Sequence, residues 1–323
     1  VQRVPQLLSY VQVAVDSDTS AKGSYILTGS HQAELHSAIA QSLAGRTAIA
    51  TLLPLSLSEI AGTGASLDRD ECLFRGCMPQ IYQQDVPPPD LYRNYFRTYV
   101  ERDMRQIANI RNLSTFETFV RLLAGRVGQV VNMSDLSNSL GVSVPTVKEW
   151  LSVLEASYII FRLPPYYRNF GKRLIKSPKL YFVEPGLAAW LTGARDPGQL
   201  ATGPFLGGLF ENLVVIEALK AQYNRLEDAN LFFYRDNNGL EADLLIDSLQ
   251  ALIPVEIKAS RTFTKDFVQN LQRLQKLDTR LGPGAVVYGG KTESSMHGIQ
   301  LLNFASTRLL LDPSSEGGDG ARF

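Results

Sequence analysis

The chain has 323 residues, 45% apolar and 20% charged, ordinary proportions for a globular protein with enough core for two or three domains. Its 32 basic side chains equal its 32 acidic ones, so any affinity for nucleic acid must come from a local basic patch. No apolar run is long enough to cross a bilayer and no secretory signal opens the sequence, which points to a cytoplasmic protein without a membrane partner.

Residues 1–12, "VQRVPQLLSYVQ", precede a polar loop. Residues 24–28 then read as a buried strand ending at Gly29-Ser30, and residues 48–53 as a second short strand after Gly45-Arg46. With "ILTGS" and "SLAGR" at these places, residues 1–60 resemble the C-terminal half of an AAA-type ATPase core. The likeness is to the bacterial and archaeal family of ATP-binding proteins with a DUF4143 C-terminal region. Members typically read Asp-Glu-Ile/Val-Gln-Arg-x-Pro at the end of the Walker B strand, and this chain starts at Val1-Gln2-Arg3-Val4-Pro5.

The resemblance implies a nucleotide-binding remnant, with Thr28 or Ser30 as the sensor-1 polar residue and Arg46 facing phosphate. Read without it, they are a strand-end turn and a surface arginine. ATP is held by a Gly-x-x-x-x-Gly-Lys-Ser/Thr loop whose amides cradle the phosphates. The sequence contains none, and Gly171-Lys172-Arg173 lacks both the upstream glycine and the following hydroxyl. The chain alone is therefore expected not to hydrolyse ATP, whether as a truncated fragment or as the product of a gene without its ATPase half.

Residues 61–110 read as a helical lid and linker, broken by Gly62, Gly64 and "VPPPD". "LYRNYFRTYVERDMRQI" places Leu91, Tyr95, Tyr99 and Met104 on one face, with Arg97, Arg102 and Arg105 as solvated charges. A closely similar Tyr-x-x-Thr-Tyr-x-Glu-Arg-Asp occurs in the family. Cys72 and Cys77, with neither a CxxC pair nor a histidine cluster, read as reduced packing residues.

Residues 111–198 pattern as helix, helix, "LGVS" turn, helix and strand, a winged helix-turn-helix forming the first part of the DUF4143 region. Gly141 permits the turn, and Ser143 caps a helix running through Val147, Trp150, Leu151 and Leu154. Its outer face offers Thr146, Lys148, Glu149 and Ser152, a poor set for reading bases and so for a transcription regulator. The following stretch carries Arg162, Arg168, Lys172, Arg173, Lys176 and Lys179 with no acid among them, and includes Tyr166, Tyr167 and Phe170. Two readings stand. The stretch grips a phosphate backbone with low sequence specificity, or its tyrosines pack on a neighbouring domain while its lysines solubilise a loop. Glu184 stands where the family resemblance suggests Asp.

Residues 199–310 carry the most informative pattern. "GLFENLVVIEALK" is a helix that puts Glu211 on one stripe with Gly208 and Val215. "GLEADLLID" and "LIPVEIKAS" alternate with period two, so Glu241 and Asp243 share a strand face, as do Glu256 and Lys258. A hairpin turning in "DSLQ" joins them, a helix with Gln269 and Gln272 follows, and "AVVYGG" supplies a later strand. Carboxylates beside lysine on adjacent strands require a divalent cation, an ion-pair network, or a solvated edge.

The ordered set resembles the PD-(D/E)XK signature of restriction-endonuclease-like nucleases. By that resemblance Asp243 and Glu256 hold Mg²⁺, Lys258 positions the attacking water, and Glu211 comes from the first core helix, together forming the catalytic group. Residues 311–323 read as a disordered tail. The expected fold class is a multidomain α/β protein: partial AAA core, helical lid, winged helix, and a restriction-endonuclease-like domain with a mixed sheet. The expected function is nucleic-acid association with Mg²⁺-dependent cutting. The alternative is a non-catalytic module that assembles with itself or a protein partner, on a degenerate nuclease fold.

Overall fold

A computed structural model describes residues 6–17, 23–28, 43–101, 112–166, 177–236, 238–248 and 251–311. Helix α1 (Leu7–Ser17) is followed by α2 (Leu57–Gly62), α3 (Arg69–Arg75), α4 (Pro79–Gln83) and α5 (Pro88–Tyr95), which continues as a π-helical turn over Phe96–Glu101. Next come α6 (Leu113–Ala124), α7 (Met133–Leu140) and α8 (Val144–Ala156), then an antiparallel pair, β1 (Ile160–Leu163) and β2 (Lys179–Phe182). Two short helices, α9 (Pro185–Leu191) and α10 (Pro197–Thr202), lead into the long α11 (Leu206–Tyr223). The remainder forms β3 (Leu231–Arg235), β4 (Glu241–Asp247), β5 (Leu252–Lys258), α12 (Gln269–Leu274), β6 (Ala285–Tyr288), β7 (Ser294–Met296) and β8 (Ile299–Asn303).

The last six strands make a mixed sheet in the order β3-β4-β5-β6-β8-β7. Strands β3, β4 and β5 run antiparallel as a meander, whereas β5, β6 and β8 are parallel neighbours. The β5–β6 connection contains α12, the crossover that a parallel pair requires. The protein is thus mixed α/β, as the sequence pattern implies. The hairpin at 248–251 closes where expected, with Ser248 N donating to Ala251 O at 3.0 Å.

Local signals account for the helix ends. Ser143 Oγ accepts from Thr146 N, and Gly141 takes the left-handed conformation at φ 64° that turns α7 into α8. Ser56 and Glu59 form a reciprocal capping box on α2. On α5 the buried stripe is Tyr92 and Phe96, with Leu91 and Tyr95 half-buried beside it; Arg97 is exposed, and Met104, Arg102 and Arg105 lie outside the described residues.

Helix α11 is buried on nearly every side, which explains its lack of a polar face. It packs on β2, β5, α9 and the C-terminal 3-10 turns over Phe304–Leu311. Asn212, fully enclosed, stitches it to β2: Phe182 N donates to Oδ1 at 2.6 Å and Nδ2 donates to Phe182 O at 2.9 Å. At Gly208 a side chain would stand 2.6 Å from Val127 O, so only glycine allows this close approach.

Two expected elements are absent. Residues 24–28 and 48–53 are not strands, and Ile26 and Leu52 are 89% and 90% exposed. A strand needs a neighbouring strand for its amides and carbonyls, and among the described residues neither sheet includes these segments. Cys72 and Cys77 are free and buried, as their spacing suggests. The tail from residue 312 onward lies outside the described residues.

Candidate functional site

Glu241 and Asp243 on β4 meet Lys179 of β2, which with Tyr181 also holds Glu211 of α11. On β5, Glu256 and Lys258 alternate with Val255 and Ile257, which pack in the core around α11, and Lys258 reaches Asp243. The β4–β5 ladder runs from Asp247↔Leu252 to Leu244↔Val255. One position beyond it, the Asp243 carboxylate receives Ile257 N at 2.8 Å. Lys258 Nζ is 2.6 Å from Glu256 Oε1 and 3.9 Å from Asp243 Oδ2. Lys179 Nζ is 2.8 Å from Glu241 Oε1, 2.9 Å from Glu211 Oε1 and 3.8 Å from Asp243 Oδ1. Tyr181 donates to the same Glu211 oxygen at 2.6 Å, and Arg235 stands 3.6 Å from Glu241 at the rim.

The electrostatics follow from crowding four acids out of water. Burial, reinforced by the charge on Asp243, pushes Glu256 up to about 7 against the opposing pull of Lys258. Glu211 is also raised to about 7 by burial and by Asp243, opposed by Lys179 and Tyr181. Burial alone would discharge the two lysines. The surrounding carboxylates outweigh it and hold both above their ordinary value, with Asp243 first for Lys258 and Glu211 first for Lys179. Glu256 Oε2 is buried with no hydrogen-bond partner.

The four expected catalytic residues therefore meet, with Glu211 linked to Asp243 through Lys179. Asp243 and Glu256, with the partnerless oxygen of Glu256, fit a hard cation that takes one or two carboxylates and keeps most of its water. Among the described residues, no group of three or more His, Cys, Asp and Glu is placed to hold a metal ion.

The basic stretch is placed differently from expectation. Lys179 is not a surface contact: it is 3% exposed and committed to carboxylates, because it opens a strand buried at every position. Arg162 is engaged with Glu155, Nε to Oε2 at 2.8 Å. Tyr166 is buried, with its ring packed edge-on against Phe232 at 5.4 Å, and its amide donates to Phe233 O. At that residue the packing alternative holds. Arg168, Lys172, Arg173 and Lys176 lie outside the described residues, as do Tyr167 and Phe170. Lys148, Glu149 and Ser152 are exposed on α8 and Thr146 is half-buried, while Gln269 and Gln272 are exposed on α12.

In the first segment Thr28 is exposed, Ser30 lies outside the described residues, and Arg46 pairs with Asp16 at 2.5 Å. Glu184 caps α9 through Gly186 N and also receives Cys77 N and Tyr92 OH, both at 2.8 Å. The sequence reading missed Tyr181 and the true position of Lys179. The available signal was a lysine opening the apolar run "KLYFV".

Three family models match in succession: an AAA domain over residues 1–61, a domain of unknown function (DUF8612) over 66–198, and a domain of unknown function (DUF4143) over 206–306. The chain is similar to uncharacterized proteins of Mycobacterium tuberculosis and Mycobacterium bovis, each 28% identical over 292 residues, covering 90% of this chain and 64% of the relative. An uncharacterized protein of Haemophilus influenzae is 27% identical over 214 residues, covering 62% of this chain and 52% of that protein. The chain thus spans under two thirds of the length of the curated relatives it matches. No solved structure matches. No described helix is long and apolar enough to cross a membrane. An AAA match at one end and a DUF4143 match at the other agree with the AAA/DUF4143 resemblance carried by the sequence motifs.

Proposed function

We propose that this chain is the C-terminal portion of an AAA/DUF4143 ATP-binding protein that acts on nucleic acid. In this reading residues 111–198 form a winged helix and residues 199–310 a PD-(D/E)XK-like domain that cuts phosphodiesters with Mg²⁺. The observation that carries it is the meeting of Asp243, Glu256 and Lys258 at the end of the β4–β5 ladder, with Lys258 Nζ between the two acids at 3.9 and 2.6 Å. The order α11, β3, β4, β5, α12, β6 supports the same fold.

Asp243 and Glu256 would hold the cation, which when bound polarises a phosphate oxygen and lowers the pKa of water. The backbone N–H of Ile257 fixes the Asp243 carboxylate. Lys258, half-buried at the edge of the cluster, supplies positive charge against the negative charge that develops on a phosphate. Tyr181 and Lys179 hold the Glu211 carboxylate toward the cluster.

The test is incubation of the chain with supercoiled plasmid, single-stranded DNA and structured RNA in Mg²⁺ and in Mn²⁺. Nicking that disappears in Lys258→Ala is expected. Wild-type protein that leaves every substrate intact with both ions removes the enzymatic reading.

A second reading has its own observation. Lys179 fills the acidic cluster in a manner suited to a purely structural network, which favours a non-catalytic assembly or regulatory module. Nucleic-acid affinity that falls steeply with salt supports the first reading, and no binding at low salt supports the second.

A further inference from the structure

The centre of the acidic cluster already holds a positive charge. The Lys179 ammonium lies within 3.8 Å of carboxylate oxygens from Glu211, Glu241 and Asp243, which come from α11 and β4. Its side chain is 3% exposed, and the Phe233 ring covers it with its centroid 5.6 Å away. The opposite end of Asp243 is different. There the Lys258 side chain is 35% exposed, and Glu256, 6% exposed, binds Lys258 through Oε1 and leaves its buried Oε2 without a hydrogen-bond partner.

Charge balance separates the two ends further. With all four carboxylates ionised, they face three cations, Lys179, Lys258 and Arg235, leaving one negative charge in excess. A single divalent cation together with one singly charged phosphodiester brings that sum to neutrality.

We propose that Lys179 is a built-in replacement for a second divalent ion. Its ammonium occupies the place between Glu211, Glu241 and Asp243, so the cluster takes one cation, at the Asp243–Glu256 end. The inference rests on the reading above that these two acids accept a divalent cation. It makes the site a composite, completed by a residue from the segment before the DUF4143 match.

The experiment counts Mn²⁺ bound per chain, by calorimetry and by the loss of the free-ion electron paramagnetic resonance signal. Wild type is expected to bind one ion, lost in Glu256→Gln, and Lys179→Arg to stay at one. Because Lys179→Met alone strands three acids, the working variant is Lys179→Met with Glu241→Gln, which removes one charge of each sign. This double variant is expected to bind a second ion, lost again when Glu211→Gln is added. A double variant that binds no more Mn²⁺ than wild type overturns the role of Lys179 while leaving the Asp243–Glu256 site standing. If wild type binds none and the double variant gains one ion, the role of Lys179 holds and the Asp243–Glu256 site falls. Neither protein binding Mn²⁺ overturns both.

Discussion

Lys179 and Glu211 meet at 2.9 Å across the boundary between two separately matched segments, one ending at residue 198 and the other starting at 206. The pair joins the β1–β2 hairpin to the helix that backs the six-stranded sheet. It also sets where the Glu211 carboxylate lies relative to Asp243.

Replacing Lys179 with Met leaves Glu211, Glu241 and Asp243 facing one another without their shared cation. Breaking a buried ion network from one side costs about 3–5 kcal/mol. Urea denaturation should register that loss, and adding Glu241→Gln should recover part of it, because the two sites are coupled. A loss below about 1 kcal/mol would mean that the acids are neutralised by other means.

Without divalent ions, stability should fall with rising pH. Glu211 and Glu256 each move from an ordinary 4.5 up to about 7 in the folded protein, through burial and then Asp243. Each binds its proton more tightly when folded, so its contribution is fully present below about 4.5 and is lost as pH rises through about 7. Urea midpoints at pH 5 and pH 8 check this, with Glu256→Gln expected to flatten the difference. An unchanged slope in that variant would show that Glu256 does not carry the effect.

Asn212→Leu should be severely destabilising. The substitution removes both bonds to Phe182 and strands a buried donor and acceptor, at about 1–3 kcal/mol for each group. Hydrogen exchange at the Phe182 amide reads this directly, and protection equal to wild type would contradict it.

Gly208→Val places methyl groups against Val127 O, where even a Cβ comes within 2.6 Å. The strain should cost about 1–3 kcal/mol and move α11 relative to the 127–128 segment. A melting temperature within error of wild type would show that the backbone relaxes freely.

Much of the site was legible along the chain because its signals are local. Two-residue spacing pairs Glu241 with Asp243 and Glu256 with Lys258, whatever the strands pack against, although an irregularity in the β3–β4 register breaks the alternation further along β4. The cap at Ser143 and the turn at Gly141 depend on residues within one helical turn. Glu211 was readable as inward-facing from the apolar stripe around it.

What lay beyond the sequence was contact between distant segments. A lysine within a run of basic residues looks solvated, and only the seating of β2 against α11 and β4 turns Lys179 inward among three acids. Tyr166 likewise joins the core because residues 164–166 run along β3, with Pro165 bridging to Phe233. Conversely, the apolar segments at 24–28 and 48–53 have strand-like composition but no strand to pair with among the described residues. Alternation and capping are determined by the covalent neighbourhood. Whether a charge is neutralised, or an extended segment becomes a strand, depends on which surface the rest of the fold brings against it.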